Sequence, residues 1–291
     1  MRHNILTKPR NMRYMNTKER DSSTSVSTHI GIPVICDTDT VRALILENAV
    51  RIVDVRKLDE YLQGHIKSAA SLPFSQILEK DPSEIVDILE NLGITDTMPV
   101  VIYDDTFGAL AARVAWTFEY VGHANTALLE MTFSQWKSMG LETESKNNTF
   151  AKTEHTLLIN NEIQADASYV DLAKEQEDKF LIDTRERLNF LTEHIPNAKN
   201  VPYTMLRSDT NILRKPEEIR RLIENRGMSV DSEFITYCGS AGTLSGLTYY
   251  ALKLAGIKNV KLYSKSFREW KMLGKSKEEF KDANYWDLSA D

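Results

Sequence analysis

Cys238 stands in Phe234-Ile-Thr-Tyr-Cys-Gly-Ser-Ala-Gly-Thr243, a short apolar run that breaks into a loop of small residues. Phe234 to Tyr237 has the β-branched and aromatic composition of a buried strand. Leu247 to Ala255 follows as a mostly apolar helix pattern that stops at Gly256. Backbone N–H groups of such a loop, next to a helix N-terminus, can converge on an anion. A thiol there is expected to ionise readily and act as a nucleophile. The amides of Gly239, Ser240, Ala241, Gly242 and Thr243 are the expected donors, with Gly239 and Gly242 permitting backbone angles closed to other residues.

The 291 residues suggest two domains of ordinary size. With 42% hydrophobic and 27% charged residues, the composition is that of a globular chain, and no apolar run approaches membrane-spanning length. A net charge of −6 gives no reason to expect nucleic acid or a membrane as partner. Cys36 and Cys238 are the only cysteines, without a CxxC or a histidine cluster. That argues against a disulfide framework or a metal site, and fits a reducing, cytoplasmic setting with no cofactor. Residues 1–30 are basic and end in Ser22-Ser-Thr-Ser-Val-Ser-Thr28. They read as a flexible leader, or an over-long start with Met12 or Met15 as first residue; a transit peptide is the alternative, against which no amphipathic pattern is evident.

The elements that must position Cys238 alternate between strand and helix, and they do so twice. Arg51 to Val55, Val100 to Tyr103 and Ala127 to Leu129 read as strands in the first half. A strand near Thr156-Leu-Leu-Ile159, then Phe180 to Asp183, Phe234 to Tyr237 and Val260 to Tyr263, are expected in the second. The register repeats as well. Asp54 to His65 and Asp183 to His194 both span eleven positions, and Asp104 to Trp136 and Cys238 to Trp270 both span 32. Between Pro73 and Asp104 lie 31 positions, between Pro202 and Cys238 36, the one change of length. A duplicated α/β unit with parallel sheets follows, and ligands in such sheets bind at the carboxyl ends of strands. In the duplicate, Asp104 occupies the place of Cys238, so only the second loop can run thiol chemistry.

These residues resemble the two-domain rhodanese family of sulfurtransferases over about residues 32–286. The resemblance rests on Asp54/Arg56 and Asp183/Arg185 at strand ends, the turns at His65-Ile66 and His194-Ile-Pro196, the single loop cysteine, and Tyr263-Ser-Lys-Ser-Phe-Arg-Glu-Trp270. It implies a leader at 1–30, a domain without loop cysteine at 31–145, a linker at 146–155 and a catalytic domain at 156–286. It also implies that Cys238 takes sulfane sulfur from a small donor as a persulfide and passes it to cyanide or a thiol, such as a thioredoxin-like reductant. Cys238-Gly-Ser-Ala-Gly-Thr243 is similar to the loops that go with 3-mercaptopyruvate, thiosulfate being the other donor. Ser240 would then help protonate the leaving enolate, and Arg185 would hold the substrate carboxylate, for which a guanidinium fork is suited. Asn189 and the pair Ala241-Gly242 depart from the family pattern, and Phe74 runs almost directly into the helix at Asp81.

Structural roles are expected for the other conspicuous residues: core for Cys36, Trp136 and Trp270, turns for His65 and His194, a salt bridge for Arg56. Arg113 is expected to offset Asp104 or Asp105. A rhodanese-like phosphatase needs arginine at Cys+6, where Leu244 stands, so that reading fails. A non-catalytic binding or sulfur-carrier module is the alternative to an enzyme.

Overall fold

The computed structural model describes residues 31–280; the expected leader and positions 281–286 of the second domain lie outside the described residues. The first half runs β1 (Ile35–Cys36), α1 (Thr38–Leu46), β2 (Arg51–Asp54), α2 (Leu58–Gln63), β3 (His65–Ile66), β4 (Ala70–Ser71), α3 (Pro82–Asn91), β5 (Val100–Tyr103), α4 (Ala109–Tyr120), β6 (Thr126–Leu129), α5 (Phe133–Ser138) and β7 (Thr143–Glu144). The second runs α6 (Ala167–Ala173), β8 (Lys179–Asp183), α7 (Arg187–Thr192), β9 (Lys199–Asn200), α8 (Pro216–Asn225), β10 (Glu233–Tyr237), α9 (Thr243–Leu254), β11 (Val260–Leu262) and α10 (Ser266–Met272).

Local sequence explains where the elements begin. The Asp37 side chain accepts from the Thr40 N–H at 2.7 Å and caps α1. Asp81 and Glu84 form a capping box on α3, with Pro82 in the first turn, where its missing N–H is harmless. The strands of the two main sheets pair in parallel, in the order β1-β6-β5-β2-β4 and β11-β10-β8-β9, and β3 and β7 form a small antiparallel pair. β5 and the last four residues of β10 are wholly buried, as central parallel strands covered on both faces must be. Two tandem parallel sheets flanked by helices therefore form, as the alternation predicts.

One expected strand does not form. Thr156 to Ile159 lies in an irregular strap, with Leu158 exposed, its N–H donating to Val121 O at 3.0 Å. The apolar Leu-Leu-Ile run imitates a strand, but it crosses Gly122, where a Cβ would stand 2.8 Å from Leu158 Cβ. The place beside β11 is taken instead by Gln164, bridged to Leu262.

The halves share one core. Val114 and Phe118 of α4 belong to the same buried cluster as Leu247 and Tyr250 of α9, and the two helices pack together. Gly246 permits their close approach: a Cβ there would lie 3.3 Å from the Arg113 backbone nitrogen.

Candidate active site

β10 carries Cys238 to the carboxyl end of the second sheet, and α10 fixes it there. The Cys238 N–H donates to Ser266 Oγ at 3.1 Å, and the Phe267 N–H donates to Cys238 O at 3.0 Å. Ser266 Oγ lies 3.6 Å from Sγ and donates to Tyr263 O at 2.9 Å. The sequence reading passed over Ser266; its signal was the hydroxyl of Thr132, 28 positions after Asp104 as Ser266 is after Cys238.

Cys238 is 2% exposed, whereas Gly239 and Ser240 at the lip of the loop are exposed. The thiol donates to Ser240 O at 3.2 Å, and the Gly242 N–H donates to the same oxygen at 2.8 Å. Ala241 (φ 57°) and Gly242 (φ 69°) both adopt left-handed backbone before α9 begins. Thr243 opens that helix.

The duplicate loop shows what this geometry holds when an anion is resident. Asp104 accepts from the N–H groups of Thr106, Gly108, Leu110 and Ala111, each at 2.8–2.9 Å. Phe107 (φ 52°) and Gly108 (φ 86°) repeat the left-handed pair. By register the corresponding amides are those of Ser240, Gly242, Leu244 and Ser245. This set differs from the five consecutive amides expected from sequence: it alternates along the loop and extends into the first turn of α9. In the cysteine loop the Gly242 N–H serves Ser240 O instead of an anion.

Arg185 lies beside the loop, its Cδ 3.9 Å from where a Gly239 Cβ would stand. Its Nε and Nη2 are held by Asp183, and Nη2 also donates to Glu193 O. Arg56 makes the same bonds to Asp54 and Gly64 O. The Asp-x-Arg pair is thus a structural clamp in both halves. Burial pushes the Arg185 guanidinium down, and its hydrogen bond and attraction to Asp183 outweigh that and leave it raised. His65 and His194 are also alike, buried, each with Nδ1 within 2.9 Å of a helix carbonyl and stacked on an aromatic ring. Cys36 is buried, and burial pushes its thiol up to about 12, the setting of an inert core cysteine.

Arg113 departs from expectation. Asp104 is satisfied by amides, and Asp105 by the N–H and hydroxyl of Ser134. Arg113 instead crosses to the second half, where its Nε donates to Ala241 O at 3.0 Å. Among the described residues no cluster of three or more histidine, cysteine or carboxylate groups is placed to hold a metal, and no helix is long and apolar enough to cross a membrane. A cavity of about 240 Å³ lined by Asp166, Tyr263, Ser264 and Lys265 includes no residue of the cysteine loop.

The family model for the rhodanese-like domain matches twice, at residues 37–139 and 167–273. The chain belongs to the rhodanese family. The sulfur carrier protein TtuD of Thermus thermophilus is 27% identical over 269 residues, covering 81% of this chain and 93% of that protein. The 3-mercaptopyruvate sulfurtransferase of Escherichia coli is 27% identical over 232 residues, covering 72% of this chain and 82% of that one. The crystal structure of the 3-mercaptopyruvate sulfotransferase SseA from Escherichia coli has the same fold, with a TM-score of 0.73 at 24% identity over 81% of this chain and 99% of that one.

Proposed function

We propose that this rhodanese is a sulfurtransferase that carries sulfane sulfur on Cys238, with 3-mercaptopyruvate the preferred donor and thiosulfate the other. The observation that supports this best is the position of Cys238. It replaces, in a second copy of the same loop, a carboxylate held by four backbone N–H groups. A persulfide anion at that place would find the same donors, once the Gly242 N–H turns from Ser240 O to the sulfur.

With 3-mercaptopyruvate, the Cys238 thiolate attacks the donor sulfur and the carbon–sulfur bond breaks. Its electron pair leaves with the pyruvate enolate, which takes a proton from solvent to give pyruvate; Ser240, exposed at the lip, would help to pass that proton. An acceptor thiolate or cyanide then attacks the outer sulfur and releases Cys238 as thiolate. Arg185 retains Nη1 for a substrate carboxylate, since its bonds to Asp183 and Glu193 use Nε and Nη2. Gly239, Ala241, Gly242 and Thr243 would complete the substrate-binding loop through their backbone. The two free cysteines fit a reducing cytoplasm, and acceptors such as a thioredoxin-like reductant fit the chemistry.

The sulfur-carrier reading keeps its place because TtuD carries that name and because Cys238 is 2% exposed. Steady-state assays with each donor, paired with intact-mass measurement, separate the readings. Turnover that disappears in Cys238→Ala, with one sulfur atom added to the wild-type protein, supports the enzyme. A persulfide accepted only from another protein, with no turnover of either donor, supports the carrier. No sulfur on Cys238 under any condition rules out both.

A further inference from the structure

We propose that Arg113, on helix α4 of the first half, is a positioning residue whose charge is the counter-ion of the Cys238 thiolate and, on the sulfur-transfer reading, of its persulfide. The reactive centre is then completed across the contact between the two halves.

Three observations converge. The Arg113 side chain lies along the loop: Nε donates to Ala241 O at 3.0 Å, and a Cβ on Gly242 would stand 3.1 Å from Arg113 Cδ. Its remaining partners are neutral. Nη1 donates to the Thr117 hydroxyl, and the guanidinium carbon lies 5.0 Å from the centroid of the Trp116 ring. No carboxylate among the described residues forms an ion pair with it, whereas Arg56 and Arg185 each pair with one. A half-buried guanidinium without an opposite charge beside it is unfavourable, and in proteins such groups find an anion. Burial pushes Arg113 down to about 10, and the charge of Cys238 acts in the opposite direction.

The neighbouring charges are already committed. Glu119, further along α4, accepts from Tyr249, Tyr250 and Lys253 of α9. Asp104 is held by its four amides. The duplication supplies an internal control as well. The position on α9 equivalent to Arg113 is Leu247, and the loop of the first half, whose carboxylate is already satisfied by four amides, has no such arginine. The arginine accompanies only the loop that carries the thiol. The same cation, fixed to Ala241 O, steadies the left-handed turn on which the amides of that loop depend.

The test reads the rate of Cys238 alkylation by iodoacetamide against pH, in the full chain with Cys36→Ala as background, and needs no sulfur donor. Removal of the charge in Arg113→Gln, which keeps a donor toward Ala241 O, is expected to move the profile to higher pH by about one unit and to slow alkylation near neutrality about tenfold. Arg113→Lys is expected to restore most of the shift. Arg113→Met serves as a second neutral variant, with circular dichroism to establish folding. A folded neutral variant whose profile coincides with that of the parent overturns the proposal, and so does a shift that Arg113→Lys fails to reverse. Because alkylation is independent of donor turnover, failure here is distinct from failure of the sulfurtransferase assays.

Discussion

At the scale of single residues, the loop owes its shape to two consecutive left-handed positions, only one of which is glycine. Ala241 holds φ 57°, a conformation that costs a residue with a Cβ about 1–2 kcal/mol. Glycine adopts it freely but loses more freedom on folding, by about 0.5–1 kcal/mol. The difference favours Ala241→Gly by about 0.5–1 kcal/mol, read as a higher urea midpoint at unchanged slope. A lower midpoint would mean that the alanine methyl makes packing contacts worth more than the backbone strain. The candidate loop was legible in sequence because a cysteine, flanking glycines and a strand-to-helix transition lie within ten positions. Ser266 and Arg113 were not, because each acts from another element. Ser266 reaches Cys238 from the start of α10, and Arg113 reaches Ala241 from 128 positions away. Spacing within one stretch reveals partners that share a turn; Ser266 shows only when the two copies are compared, and Arg113, matched by Leu247, not even then.

At the scale of elements, the strap between the halves shows how composition can mislead. Leu157-Leu-Ile159 has the pattern of a short strand, yet its residues remain partly exposed and its backbone is tied to the end of α4. What fixes the strap is polar: Thr156 N–H to Asp96 at 2.7 Å, Thr153 Oγ1 to Ile94 O at 2.8 Å, and His155 Nε2 within 3.1 Å of His123 Nδ1. His123 is wholly buried, and burial, aided by the neighbouring His155, pushes it from its ordinary 6.5 to about 4. His155 is lowered too, chiefly by burial. A base depressed on folding is neutral in the native state and is protonated more readily in the unfolded chain. Its contribution is therefore complete above about pH 6.5 and is lost as pH falls toward 4, to a total of about 3 kcal/mol. Urea midpoints of wild type and His123→Gln, measured from pH 7 to pH 4, should diverge in slope: the variant loses less stability across that window. Parallel curves would show that the histidine pair does not couple the strap to protonation.

At the scale of the whole molecule, duplication has not produced two independent units. Trp136 and Trp270 anchor separate cores, one in each half, but α4 and α9 merge the inner faces of both sheets into a third cluster common to the two. The longer connection of the second half reinforces this. Ile212 N–H donates to Glu130 O at 2.8 Å, and Ile212 Cδ1 stands 2.9 Å from the place of a Gly108 Cβ, so the inserted chain closes over the loop that carries Asp104. The first half has no counterpart, since Phe74 leads within a few residues to α3. One loop is thus covered by its partner domain, and the other receives Arg113 from its partner domain. With so much apolar area shared, neither half can lose its structure without exposing the buried face of the other. Variants that retain Trp136 or Trp270 as the sole tryptophan report on one half each, and their urea transitions, followed by fluorescence, are expected to share one midpoint once corrected for the substitutions. Two separated midpoints would show that the halves unfold one at a time. The shared helix pair would then be an interface between independent domains, and the contact between Arg113 and the cysteine loop would survive only while both halves stand.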